Sequence, residues 1–407
     1  QQNATAEEDK TMIRKRDVAP AWRRVPWDRV FAGEVVADRL FLRSALIRKD
    51  VLPTVAGDLM PLTWLLLNRP NPPEDHDDGQ LLHVSGPPLN PGGRAYHAEG
   101  WVVKPTDASN AFGVRFVASL DELREDGDEA PLVVEGERQL IAQHAVPSLL
   151  LDARRFHVRA LVLLVGDLDA YVYDDARVLS APVPASEDDA HARITNRSFN
   201  ADHPRYDAAR HNRSLVDGFD GEKPPTTMRR VRDAVARVVR ALDERARSDN
   251  NPQKESTRRR PRVFFAMPNA YELFGLDFMV DAAGGLVLLE ANPEPSLEMW
   301  PFFAAGCCSS DAVRREVLLQ GRCPVTDGVP RTTSGGGGTK TLGFTKVYSK
   351  RLQAALRSAA ALRSPASSKK EEEDHRTAAP PPPPVGAFLA PGGRPPLSSV
   401  PDPPLSI

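Results

Sequence analysis

Asp277, Glu290 and Asn292 are the side chains whose types and spacing point most directly to chemistry. They lie in "GLDFMVDAAGGLVLLEANPEPS" (275–296), two apolar runs around a Gly-rich turn. Closing the turn with Asp281 opposite Leu286, or as a two-residue turn at Ala283-Gly284, sets Asp277 directly across from Glu290. Strand side chains alternate faces, so Asn292 shares the face of Glu290. Two carboxylates in directly opposed positions repel unless a cation lies between them. With an amide oxygen added they form an all-oxygen set of the kind Mg²⁺ takes, completed by water and phosphate. The competing reading is a solvated face of an antiparallel sheet. The flanking runs are too apolar for that, which favours the metal.

Other pieces of the chain point to the same ligand. Lys104 closes "GWVVKP" and precedes a short loop reaching Gly113. A compact ammonium at a strand end beside such a loop suits nucleotide phosphates, although many strand-end lysines are merely solvated. Gln143-His144-Ala145-Val146-Pro147 follows a strand, and an amide with backbone groups in an apolar hinge suits an adenine. In "RRFHVRALVLLV", His157 and Arg159 share one face of a strand otherwise built for burial. A buried arginine needs an anionic partner, which is either a ligand phosphate or an internal carboxylate. Asn196 in "ITN" is a further polar candidate.

The elements that must position these groups are legible from pattern. "FHVRALVLLV" and "LDAYVYD" flank a Gly166-Asp167 turn and read as a second hairpin. Met228, Val231, Val235, Val238 and Leu242 recur at helical steps within 226–246, an amphipathic helix expected to cover a sheet. "SLDELRE" (119–125) reads as a short helix with Ser119 and Glu122 as a capping box. Residues 68–99 are dense in Pro, Gly and acids and read as a loop or insertion. The basic run at 247–262 reads as a solvated loop rather than a nucleic-acid patch.

The bulk composition narrows the class. In 407 residues, 53 basic and 55 acidic side chains nearly cancel, which argues against a dedicated polyanion binder. The 38 prolines exceed the usual share of about 5% and concentrate in segments such as "SPASSKKEEEDHRTAAPPPPPVG". Cys307, Cys308 and Cys323 have no metal or disulfide spacing and fit a reducing compartment. No apolar stretch has the length of a membrane span. The chain begins with Gln1 rather than Met, as a piece of a longer product would.

Taken in order, "FLRSALIRK" (41–49), "WVVKP", "LLLDARRFHVRALVLLVGDLDAYVY", "ITN", "YELFGLDFMVD…LLEANPEPS" and "GFTKVY" (343–348) resemble the tubulin–tyrosine ligase family of the ATP-grasp superfamily. "RRFHVR" is most similar to a fungal, P-body-associated branch that carries a phosphatase-type domain ahead of the ligase domain. The resemblance implies an α/β (α+β) ATP-grasp fold of three lobes with mixed or antiparallel sheets. Its expected divisions are a flexible N-terminus (1–25), an N-terminal lobe (26–99) and a central lobe (100–155). A C-terminal lobe (156–350) and a disordered Pro-rich tail (351–407) follow.

The same resemblance implies an ATP- and Mg²⁺-dependent carboxylate–amine ligase that joins a free amino acid to a protein carboxylate, with tubulin as the family's substrate. Asp277, Glu290 and Asn292 would hold Mg²⁺. Lys104 and Arg159 would offset phosphate charge, Arg159 as the catalytic residue. Gln143 with the His144–Val146 backbone would hold adenine, and Asn196 would line the phosphate side. Some positions depart from the family pattern. The phosphate loop reads "KPTDASNAFG", with Asn110 at a basic position and Ala111 at a glycine position. The hinge lysine is His144, and the lysine and acid of K-F-D-[IV]-R are Arg155 and His157. A later arginine falls at Leu179, with Arg177 nearby as its stand-in. Two expectations follow: a cytoplasmic ligase, or a weakly active scaffold among RNA-granule (P-body) proteins.

Overall fold

Alternation along one strand sets up the whole site. In β6 (Phe156–Val165), Phe156, Val158, Ala160, Val162 and Leu164 point into the main core. His157, Arg159, Leu161 and Leu163 therefore take the opposite face. The computed structural model describes residues 25–69, 81–84, 86–97, 99–120, 122, 139–219, 222–250, 261–300, 344–350 and 353. All of them fall in one compact unit that ends at Arg357. The three cysteines, most of the capping-box helix, residues 251–260 of the basic run and nearly all of the Pro-rich tail lie outside the described residues.

Two sheets carry the fold, and every named strand pair in them is antiparallel. The smaller sheet comprises β1 (Thr63–Arg69), β2 (Leu81–Val84), β3 (Trp101–Pro105), β4 (Arg115–Val117) and β5 (Leu140–His144), in the order β2-β1-β5-β3-β4. The larger adds β7 (Asp169–Ser180), β8 (Asn212–Ser214), β9 (Tyr271–Val280), β10 (Leu286–Pro293) and β11 (Phe344–Ser349) to β6. Its order is β10-β9-β6-β7-β11, with β8 pairing on β7.

The expected amphipathic helix runs over Met228–Asp249, capped by Thr227, whose side chain accepts from the Arg230 N–H. Val231, Val235, Val238, Val239 and Leu242 are buried in the core on the far face of the larger sheet. Each such side chain contributes about 1.5–3 kcal/mol relative to an exposed one. The helix thus backs the sheet whose other face carries His157, Arg159 and Asp277. Among the described residues no helix is long and apolar enough to cross a membrane.

Three local expectations need correction. The stretch 68–99 is not all loop, because "LLHV" pairs with β1 as an edge strand, Leu66 opposite Val84. Four residues among prolines and acids give too little periodicity to be read as a strand. The β6–β7 connection is a three-residue loop, Gly166 to Leu168, with Val165 paired to Asp169. The β9–β10 turn is closed by Asp281 and Gly285 around a three-residue loop, not by Asp281 and Leu286. The Asp281 N–H donates to the Gly285 carbonyl (2.9 Å), and Gly284 takes the left-handed φ of +81° that such loops place on glycine.

Candidate functional site

The corrected turn puts β9 and β10 one residue out of the expected register, with Leu286 opposite Val280. A β-bulge between Leu288 and Glu290 takes up the extra residue and restores Glu290 opposite Asp277. The expected pairing therefore stands, but through two irregularities that cancel. Leu289, the residue taken up by the bulge, lines a cavity of about 760 Å³.

Arg177, Arg159, Asp277 and Glu290 are directly opposed across β7, β6, β9 and β10. The ladder reads cation, cation, anion, anion. Arg159 closes its fork on Asp277, with Nε to Oδ1 and Nη2 to Oδ2 both at 2.6 Å. Both are nine-tenths or more buried. Burial works against the charged form of Asp277, but Arg159, His157 and the hydrogen bonds from Arg159 and Asn292 outweigh it and hold its pKa below the usual carboxylate range. Burial likewise opposes the Arg159 charge, and Asp277 overcomes it. Of the two readings left open for Arg159, the internal ion pair is the one observed.

Gly275 lies beside this pair. A Cβ there would lie 3.4 Å from Arg159 Cδ and 3.2 Å from Pro295 Cβ. The arginine therefore lies across the bare backbone of the neighbouring strand. Arg177 does not stand in for the arginine replaced by Leu179. Its guanidinium donates to Asn212 and Asp175 away from the cavity, and Leu179 is packed with Leu161, Tyr173 and Trp300.

Asn292 sits beside both carboxylates, its Nδ2 donating to Asp277 Oδ2 (3.0 Å) and Glu290 Oε1 (3.3 Å). Glu290 is the more open acid, with Lys49 Nζ 3.7 Å from its Oε2. The like charges across the hairpin are thus each answered by a basic side chain. Among the described residues no three His, Cys, Asp or Glu side chains group to hold a metal. A divalent ion here would need the amide oxygen of Asn292 as a third protein donor. The set fits Mg²⁺, which takes one or two carboxylates and fills the rest of its shell with water and phosphate oxygens. Asp277 accepts three hydrogen bonds, and a carboxylate offers about four lone-pair positions, so one remains.

Lys104 projects from β3 between the sheets. Its Nζ donates to Gln143 Oε1 (2.9 Å), and Gln143 Nε2 donates to Thr63 Oγ1 (2.9 Å). Burial lowers the Lys104 pKa to about 8, against the pull of Glu290. The Gln143 amide, expected in the adenine hinge, lies between Thr63 and Lys104, and the residue lines the cavity. His144 stacks on Trp64 (5.3 Å between ring centroids), and its Nδ1 accepts from the Tyr96 N–H (2.8 Å). Val146 completes the hinge wall.

The loop after β3 holds Asn110 at φ 56° and Ala111 at φ 60°, two consecutive non-glycine residues in the left-handed region. Ser198 Oγ donates to Asn196 Oδ1 (2.7 Å) and lies 3.2 Å from Asn110 Oδ1, so Asn196 stands at the rim beside this loop. The cavity is lined by Lys104, Gln143, His144, Val146, Asn196, Asp277 and Glu290, whereas Arg159 and Asn292 stand behind the carboxylates. Pattern reading did not single out Lys49, whose Nζ donates to the Ala108 carbonyl beneath the loop. It comes from the turn between two short helices, 55 positions before Lys104, and no local spacing marks it.

Two antiparallel sheets and a cavity lined by Lys49, Lys104, Asp277 and Glu290 mark an α+β protein of the ATP-grasp type. The chain belongs to the tubulin-tyrosine ligase family, whose sequence pattern matches residues 84–300, just over half of its length. It is 23% identical over 231 residues to a probable tubulin–tyrosine ligase of Schizosaccharomyces pombe, covering 49% of this chain and 52% of that protein. A probable tubulin–tyrosine ligase of Saccharomyces cerevisiae is 23% identical over 240 residues, 49% of this chain and 30% of its own. A tubulin polyglutamylase of Caenorhabditis elegans is 29% identical over 221 residues, 51% of this chain and 28% of its own. The chain thus spans about half or less of the length of these relatives.

Proposed function

We propose that the cavity binds ATP with Mg²⁺ and that the chain joins a free amino acid to a carboxylate of a protein substrate, tubulin being the substrate named for its relatives. The observation that carries this reading is the convergence of Asp277, Glu290 and Lys104 on one cavity walled by both sheets. When bound, ATP supplies the phosphoryl group that turns the acceptor carboxylate into an acyl phosphate, and Mg²⁺ offsets phosphate charge. The chain's own residues do the rest by position. Glu290 and Asp277 hold the ion with Asn292, and Arg159 keeps Asp277 ionised and aimed. Lys104, fixed by Gln143, presents an ammonium where phosphate charge builds up, a preorganised term of the kind that dominates phosphoryl transfer.

Glu290→Gln is the sharpest test, because its side chain is partly exposed and Lys49, its ion-pair partner, keeps a hydrogen bond to the Ala108 carbonyl. The wild type should release ADP and incorporate labelled amino acid into tubulin in the presence of Mg-ATP. The variant should do neither. Equal rates for the two proteins would remove the reading.

A second reading is favoured by one observation, the left-handed backbone at Ala111. A Cβ in that region costs about 1–2 kcal/mol, and this loop covers the phosphate side. On this reading the chain is a nucleotide-binding scaffold of cytoplasmic RNA granules with little turnover. Ala111→Gly separates the two. In an active ligase it should raise ATP affinity and turnover together by a few-fold. In a scaffold it should leave turnover undetectable while granule recruitment is unchanged.

A further inference from the structure

Away from the carboxylates the cavity is stepped along its strands. On β3, Val102 and Gly100 follow Lys104 at two-residue intervals. On the larger sheet, the Arg159–Asp277 pair is followed by the directly opposed His157 and Met279. Strands rise about 3.3 Å per residue, so four positions span roughly 13 Å. Arg155 stands four positions from Arg159, and Glu99 stands just beyond Gly100. There the two side chains meet, Arg155 Nη2 lying 3.3 Å from Glu99 Oε2. Both line the cavity and both are open, 24% and 35% exposed. The Ala145 N–H donates to the Gly100 carbonyl (3.0 Å), which holds Glu99 beside the hinge wall. A ligand with its phosphates at Lys104, Asp277 and Glu290 therefore presents its base to this pair. On the way, Val102 and Met279 give a flat ring one apolar side chain from each sheet.

We propose that Glu99 and Arg155 together read the base of the nucleotide, Glu99 accepting from the 6-amino group and Arg155 donating to N7, and so select adenine over guanine. The proposal rests on the nucleotide-binding reading above. An arginine carries only donors and an ionised glutamate only acceptors. A part-exposed ion pair is held weakly, so its atoms can turn to a ligand at little cost. A donor beside an acceptor complements adenine, which shows N7 and its amino group along one edge. Guanine shows N7 and O6 there, two acceptors, and O6 would face the Glu99 carboxylate. The backbone of the hinge wall is left to the other edge of the base.

Calorimetry on the full chain with Mg²⁺ and a set of triphosphates tests this. A well-placed pair of base contacts discriminates by about tenfold or more, so ATP should bind at least that much more tightly than GTP. Purine riboside triphosphate, which lacks the 6-amino group, and 7-deaza-ATP, which lacks N7, should each bind more weakly than ATP. Glu99→Ala should bind ATP and the purine riboside triphosphate equally, and Arg155→Met should bind ATP and 7-deaza-ATP equally. Neither side chain is buried, so both variants should keep the wild-type melting temperature and the wild-type affinity for inorganic tripolyphosphate. GTP binding as tightly as ATP would overturn the proposal. So would a preference for the 6-amino group that survives Glu99→Ala, or a variant that weakens tripolyphosphate as much as ATP. Failure of the wild type to bind any of these triphosphates would instead strike the nucleotide reading itself.

Discussion

At the scale of single residues, the site is organised by what each charge is given as a partner. Asp277 survives burial because Arg159 grips both its oxygens, its stem lying close against Gly275 of the next strand. Removing either charge alone would leave the other buried and uncompensated, at a cost of about 3–5 kcal/mol. Gly275→Val tests the same geometry without removing a charge. It should push Arg159 off Asp277, lower the unfolding midpoint and weaken Mg-ATP binding at least tenfold, measured by thermal denaturation and calorimetry. Unchanged affinity would mean that the ion pair does not orient Asp277 for the metal. Lys104 gives a pH dependence. Its pKa of about 8 lies below the ordinary value of 10.5, so its charge is lost as pH rises through about 8. ATP affinity should fall over that range, by up to about tenfold per pH unit, and Lys104→Arg should flatten the profile. Stability moves the other way. The unfolded chain binds the extra proton between pH 8 and 10.5, so this lysine destabilises the fold fully below 8 and progressively less above it.

At the scale of elements, the β9–β10 hairpin is placed by its turn as much as by its strands. Asp281 accepts from Arg94 Nη1 (3.0 Å), the Tyr96 hydroxyl (3.1 Å) and the Gly285 N–H (2.6 Å). The Ala282 N–H donates to the Pro147 carbonyl, and the Leu149 N–H to that of Val280. The Asp281 carboxylate thereby ties the hairpin to the segment before β3, and the two backbone bonds tie it to the hinge wall. Asp281→Ala should cost about 1–3 kcal/mol in chemical denaturation and lower nucleotide affinity with the carboxylates of the site intact. A stability loss with no change in affinity would show that the clasp supports the fold alone. The bulge at Leu289 acts at the same scale, since it resets the register and turns one apolar side chain into the cavity.

At the scale of the whole molecule, the cavity draws its walls from both sheets, so a ligand filling it joins them. Mg-ATP at 100 times its dissociation constant should stabilise the fold by about 2.7 kcal/mol, read as a raised melting temperature. Asp277→Asn should abolish that rise while leaving any effect of unrelated anions. A rise equal to the wild type's would remove Asp277 from the metal site. The long helix Met228–Asp249 makes such coupling possible, because it stiffens the larger sheet from behind with Val231, Val235, Val238 and Leu242.

The sequence by itself determined the period-two and period-3.6 elements and the facing of His157 and Arg159. Backbone geometry imposes these relations locally, whereas the pairing of Asp277 with Glu290 came out as expected only because the bulge at Leu289 offset a turn one residue out of register. The pattern misplaced the turn register and missed β2, where short irregular segments carry too little of it. Only the tertiary structure decided which partner each charged group takes. Arg159 binds Asp277 rather than lining the cavity, Gln143 holds Lys104, and Lys49 reaches Glu290 from a remote segment. The physical reason is that a buried charge selects its partner by distance in space. Between groups as far apart along the chain as Arg159 and Asp277, that distance is fixed only when the sheets close.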